Sequence, residues 1–152
     1  MSREIDAAVC KEVLGLKPFR PCDVKAFQNT KHPFHPCFTE KDWLVIPSGK
    51  PPRTHMIDSR EVPHYSEGWS CLSDIVLKMR ERDLRLSLYE QDDGEWCAQW
   101  CRGDLCNGEL GEATEKSAPL AVCVSALLAV GFDPASLAAL RAVGGEGGRK
   151  DG

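Results

Sequence analysis

Val62-Pro63-His64-Tyr65-Ser66 opens, and Ser117-Ala118-Pro119-Leu120-Ala121-Val122-Cys123 closes, the stretch whose reading decides the fold. Between them, Trp69, Leu72, Ile75, Val76 and Met79 recur at the three-and-four spacing of a buried helical stripe. The spacing predicts a helix from about Ser66–Gly68 to Arg82, with Lys78, Arg80, Glu81 and Arg82 on its other side. Leu84, Leu86 and Leu88 then alternate with Arg85, Ser87 and Tyr89, as in a strand with one buried face. Gln91-Asp92-Asp93-Gly94 has the composition of a hairpin turn. The returning strand places Trp96, Ala98 and Trp100 on one face and Cys97, Gln99 and Cys101 on the other. Arg102-Gly103-Asp104 reads as a second turn, leading to a weaker third strand over about Leu105 to Leu110. Ser117 is the expected N-cap of an apolar helix that tolerates Pro119 in its first turn. Helix, strands and buried helix in that order describe an α+β unit with its sheet packed on helices.

Outward from this unit, residues 2–14 read as an opening helix. Ile5, Ala8, Val9, Glu12 and Val13 share a mainly apolar face, Ser2 caps the helix and Gly15 stops it. Downstream, Asp133-Pro134 begins a short helix through Leu137 and Leu140. From Gly144 the chain has too little apolar content to fold, so residues 144–152 are expected as a disordered tail to a single domain over 1–143.

Residues 17–61 hold seven of the ten prolines and read as a long proline-rich insertion. Asp42-Trp43-Leu44-Val45-Ile46 is its one strand-like run. A segment of this length inside a compact domain requires an anchor.

The 152 residues carry 28% charged side chains and a net charge of −4, a balance that argues against nucleic acid as a partner. No basic-then-apolar stretch opens the chain, and the longest apolar run, Ala118 to Gly131, is too short to span a bilayer. No membrane association and a cytoplasmic location, in a host cell's cytosol, are therefore expected. Eight cysteines without secretion signals are expected as reduced thiols, some available to a metal.

With these elements in place, three segments carry a family resemblance. Ala7-Ala8-Val9-Cys10-Lys11-Glu12-Val13-Leu14-Gly15 is similar to the opening helix of the phage ABA sandwich family. Val62-Pro63-His64-Tyr65-Ser66 resembles that family's proline-tyrosine-serine approach to its second helix. Ser117 to Cys123, with Ala126 and Leu127, resembles its final helix. The resemblance covers residues 1–16 and 62–131, and departs from the family at Glu67-Gly68, where a threonine-aspartate pair is usual. It implies an antiparallel sheet of three to four strands sandwiched between helices in α-β-α layers, in a small phage or prophage protein. It implies no activity and no set of functional residues.

Cys22, His32, His35 and Cys37 are the first candidate site. His32-Pro33-Phe34-His35-Pro36-Cys37 is biased to extended backbone, and three residues per polyproline turn put His32 and His35 on one side. Two imidazoles and two thiolates suit a tetrahedral structural zinc, which would also order the insertion. The competing reading is loop residues with no metal. Cys97, Cys101 and Cys106 form a second set, read either as thiolate ligands or as small apolar residues on a covered sheet face. His64 and Tyr65, just before a helix, are candidate ligand-binding residues, with Tyr65 equally suited to packing its ring in the core. The carboxylates Glu90, Asp92 and Asp93 are expected to be solvated at a turn. No nucleophile elbow or phosphate-binding loop is present. The expected function is binding of a host protein or a small host molecule, modulating host or anti-phage machinery. A metal-dependent enzyme or a nucleic-acid-binding accessory protein using the His/Cys-rich insertion is the alternative. Self-pairing through the edge of the third strand leaves a homo-oligomer open.

Overall fold

The computed structural model describes residues 3–20, 42–45, 60–102 and 110–146. Helix α1, Arg3–Ala8, runs directly into a π-helical turn, Val9–Val13. The extra residue in that wide turn lets Val9, Cys10 and Val13 all reach the interior, beside Ile5. Gly15, at φ +71°, supplies the expected stop.

Strand β1, Leu44–Val45, pairs antiparallel with β2, Arg60–Glu61. Leu44 also exchanges backbone hydrogen bonds of 2.8 Å with Phe19. The strand expected at Asp42–Ile46 is thus present over Leu44–Val45, both buried, and it ties the two described ends of the insertion together.

A turn over 62–68 follows, in which Glu67 N and Gly68 N donate to the His64 carbonyl, both at 3.2 Å. A single 3-10 turn, Trp69–Cys71, precedes α2, Leu72–Glu81. Leu72, Ile75 and Met79 are buried as their spacing requires, but Trp69 is 60% exposed. Three residues per turn, instead of 3.6, rotate Trp69 out of the stripe to which its position assigned it. Asp83, at φ 61°, lets the chain leave α2 and enter the sheet at the next residue.

The main sheet is antiparallel, in the order β3-β4-β5: Leu84–Glu90, Trp96–Arg102 and Gly111–Glu115. The first hairpin closes at Gln91–Gly94 as expected, with Gly94 at φ +85° and Asp93 Oδ1 accepting from Glu95 N at 3.0 Å. The third strand lies later than expected. Residues 103–109 lie outside the described residues, and pairing runs from Trp100↔Gly111 to Trp96↔Glu115. Gly111 and Ala113 face inward, so this strand lacks the bulky alternation that marks a strand in sequence.

Helix α3, Ala118–Ala129, lies across β5 and β4, while α2 lies against β3. Contact with α3 requires glycine at 111, since a Cβ there would stand 2.3 Å from the Ser125 carbonyl oxygen and 2.7 Å from Ala129 N. Ser117 occupies the N-cap position of α3 in extended conformation, but its hydroxyl makes no capping bond. The last helix, α4, is Pro134–Glu146. Asp133 Oδ2 accepts from Ser136 N at 3.1 Å at its start, and its backbone stays helical two residues beyond Gly144.

The chain is therefore a mixed α+β protein with four helices and two small antiparallel sheets among the described residues. Leu84, Ala98, Trp100 and Ala113 join Ile75, Met79, Val122 and Leu127 in one core on the helical face of the main sheet. Cys97 and Cys101, on the other face, are buried at 1% and 3% exposure yet stand outside that core. No described helix is long and apolar enough to cross a membrane.

Candidate functional site

The polar side of α2 is less uniform than its sequence suggests. Lys78 pairs with Glu81 at 3.0 Å, and Arg82 donates to the Glu12 carbonyl at 3.4 Å. Arg80, from the last turn of α2, and Arg85, the second residue of β3, are both exposed, and neither guanidinium has a hydrogen-bond or ion-pair partner among the described residues.

These two arginines belong to one cleft. Helix and strand diverge from Asp83, and the space between them, about 690 Å³, is lined by Val76, Arg80, Asp83, Leu84, Arg85 and Leu86. Val76, Leu84 and Leu86 belong to the core or pack against it, giving the cleft an apolar side. Two guanidinium groups face one carboxylate, so the lining has a net positive charge. A volume of this size suits a small molecule, and guanidinium forks suit carboxylate or phosphate. Asp83 is also the only described non-glycine residue at positive φ, a backbone conformation that costs energy and that clusters at working sites.

The structure separates the residues singled out at the start of the second helix. His64 is exposed, with Nε2 3.4 Å from Glu61 Oε1 and Nδ1 3.4 Å from Glu67 Oε2, so its ring bridges two carboxylates. Tyr65 is 2% exposed and packs in the core. Burial, followed by the neighbouring Cys10 and Asp74, pushes its hydroxyl pKa upward. The two side chains do not form one site.

Asp6 escaped the sequence reading. It lies fully buried on the inner side of α1, pairs with Arg3 at 2.6 Å and accepts from Ser66 N at 2.8 Å. Arg3 also donates to the Val62 carbonyl, to Pro63 O at 3.3 Å and to Glu61 at 3.4 Å. An acidic residue within an otherwise apolar helical face, Ile5-Asp6-Ala7, was the available signal.

Among the cysteines, Cys10, Cys71, Cys97 and Cys123 are free thiols. Burial raises Cys10 to about 11 and Cys123 well above the ordinary thiol range, so both are poor thiolate ligands. Cys97 Sγ lies 3.7 Å from Glu112 Oε1. Cys101 is disulfide-bonded, against the expectation of reduced thiols throughout, and this removes it from a thiolate set with Cys97. Cys106 lies outside the described residues, as do Cys22, His32, His35 and Cys37. Among the described residues, no group of three or more His, Cys, Asp or Glu side chains is arranged to hold a metal. No protein-family model matches the chain, and no curated protein or solved structure matches it.

Proposed function

We propose that this is a non-catalytic accessory protein of phage or prophage type that binds a small anionic molecule of the host in the cleft between α2 and β3. The observation that carries the reading is the pair Arg80 and Arg85, two guanidinium groups in no ion pair among the described residues and outnumbering the Asp83 carboxylate beside an apolar lining. Such a surface selects molecules with one apolar body and one carboxylate or phosphate. Phage origin rests on the resemblance of the segments at Ala7–Gly15, Val62–Ser66 and Ser117–Cys123. With it come the α-β-α layering and action in the host cytosol on host or anti-phage machinery.

Thermal unfolding with benzoate, phenyl phosphate, AMP and cyclic AMP, beside uncharged phenol and adenosine, tests the site. A ligand at about a hundred times its Kd adds about 2.7 kcal/mol to stability, so a binder raises Tm visibly. Charged probes are expected to stabilise the protein, uncharged ones not, and the double substitution Arg80→Ala and Arg85→Ala is expected to abolish the response. No stabilisation by any charged probe, or an unchanged response in the double variant, would rule this function out.

A further inference from the structure

The far end of the same helix–strand pair has the opposite character. Trp69 is 60% exposed, and its ring meets Trp96 edge-on, with centroids 6.0 Å apart and planes at 81°. Trp96 opens the central strand, and its direct partners are Glu90 on β3 and Glu115 on β5. Directly paired residues project from the same sheet face, so carboxylate, indole and carboxylate form a row beneath Trp69. Glu115 is mostly buried and already holds the guanidinium of Arg141. Burial raises its pKa, Arg141 opposes the rise, and the charge of Glu95, the residue just before Trp96 in the chain, adds to it. From Leu86 to Cys101 the chain contains four acidic residues and no Lys, Arg or His. Glu90 and Glu95 have no cationic partner among the described residues.

We infer that Trp69 and Trp96, with Glu90 and Glu95, form a docking surface for an arginine- or lysine-bearing segment of a partner protein. Indole faces attract cations, and arginine stacks on them while offering its edge to carboxylates. Arg141 shows that this end of the sheet takes a guanidinium. A neutral partner covering Trp69 would strip water from Glu90 and Glu95 and return no opposite charge. An acidic partner or a nucleic acid is repelled by the same groups. Tryptophan is also among the residues enriched as interface anchors. This surface is separate from the Arg80–Arg85 cleft and stands whether or not that cleft binds an anion.

The test uses the full chain and three homopeptides of equal length, oligoarginine, oligolysine and oligoglutamate, with spermine as a small polycation. Binding is followed by tryptophan fluorescence and calorimetry at low and moderate salt. Oligoarginine and oligolysine are expected to bind and shift the emission, oligoglutamate not to, and spermine to bind more weakly than either basic peptide. Trp69→Ala, which removes a side chain 60% exposed together with its one ring contact to Trp96, is expected to weaken oligoarginine binding about tenfold in protein still folded by its melting curve. Glu90→Gln with Glu95→Gln is expected to weaken it by a similar factor and flatten its salt dependence. Equal binding by wild type and Trp69→Ala would overturn the proposal, as diffuse attraction to acidic residues. Spermine binding as tightly as oligoarginine would overturn the peptide assignment in favour of a small cation. Sedimentation showing self-association, lost on Arg85→Ala, would overturn it in favour of a second copy of this chain as the basic partner.

Discussion

Asp6 Oδ1 accepts a 2.8 Å hydrogen bond from the backbone N–H of Ser66, sixty residues away along the chain. This bond ties the turn over 62–68 to α1, and Arg3 closes that turn from outside through the Val62 and Pro63 carbonyls.

Breaking that link has a definite cost. Asp6 is fully buried and Arg3 mostly so, and removing one member of a buried, hydrogen-bonded ion pair costs about 3 kcal/mol or more. Asp6→Ala is expected to lower stability by about that amount, because Ser66 N–H also loses its acceptor. Asp6→Asn keeps an acceptor oxygen and is expected to lose about half as much. Urea midpoints, with the exposed Asp92→Ala as control, decide it. A shift for Asp6→Ala no larger than the control's would show that the link contributes nothing.

Alkali should weaken the fold through its buried thiols and phenol. Cys10 is raised from 9 to about 11, Cys123 is raised well above 9, and Tyr65 is raised above its ordinary 10, all chiefly by burial. A raised pKa means that the folded protein keeps a proton the unfolded chain gives up. That contribution is complete below the unfolded value and is lost as pH rises through the folded one. Stability is therefore expected to fall from pH 9 upward, with Cys10 alone accounting for about 2 kcal/mol by pH 11. Urea midpoints at about pH 8, 9.5 and 10.5 measure the slope, and Cys10→Ala should make it shallower. A flat profile across that range would show that these groups ionise freely in the folded protein.

Gly111 is the third point of leverage. The Ser125 carbonyl oxygen would lie 2.3 Å from a Cβ at this position, and Ala129 N 2.7 Å from it, so backbone must move to admit a methyl group. Gly111→Ala is expected to cost about 2–3 kcal/mol. Adding Ala129→Gly should recover little, because the closest obstacle is main chain. Full recovery in the double variant would place the conflict at the Ala129 methyl instead.

The same contact explains what could and could not be read in the sequence. Leu72, Ile75 and Met79 announce their helix because bulky apolar residues recur at its period, and Gln91–Gly94 announces its turn by composition. A strand of glycine, alanine and three polar residues announces nothing, since its inward face is shaped by how closely α3 approaches. Trp69 fits the helical stripe by spacing and fails it because one 3-10 turn changes the period locally. Arg80 was legible as a residue of the outer side of α2 and Arg85 as an alternating residue of β3, but not as a pair. Their distinction from Lys78 and Arg82 depends on Glu81 and the distant Glu12 carbonyl, and the second of these is a tertiary contact that no local pattern encodes.

Asp83 joins stability to the proposed binding cleft. Left-handed backbone costs a non-glycine residue about 1 kcal/mol, and glycine or asparagine usually occupies this place after a helix. Asp83→Gly is therefore expected to stabilise the protein by up to about 1 kcal/mol, while its flexibility in the unfolded chain offsets part of the gain. Asp83→Asn keeps the side chain's shape and removes the only acidic group that lines the cleft among the described residues. It is expected to tighten binding of an anionic probe such as phenyl phosphate several-fold, since Arg80 and Arg85 then act unopposed. Probe titrations of wild type and both variants separate the two effects. If Asp83→Asn weakens binding instead, the aspartate orients one of the arginines toward the ligand and the net charge of the cleft is not what selects it.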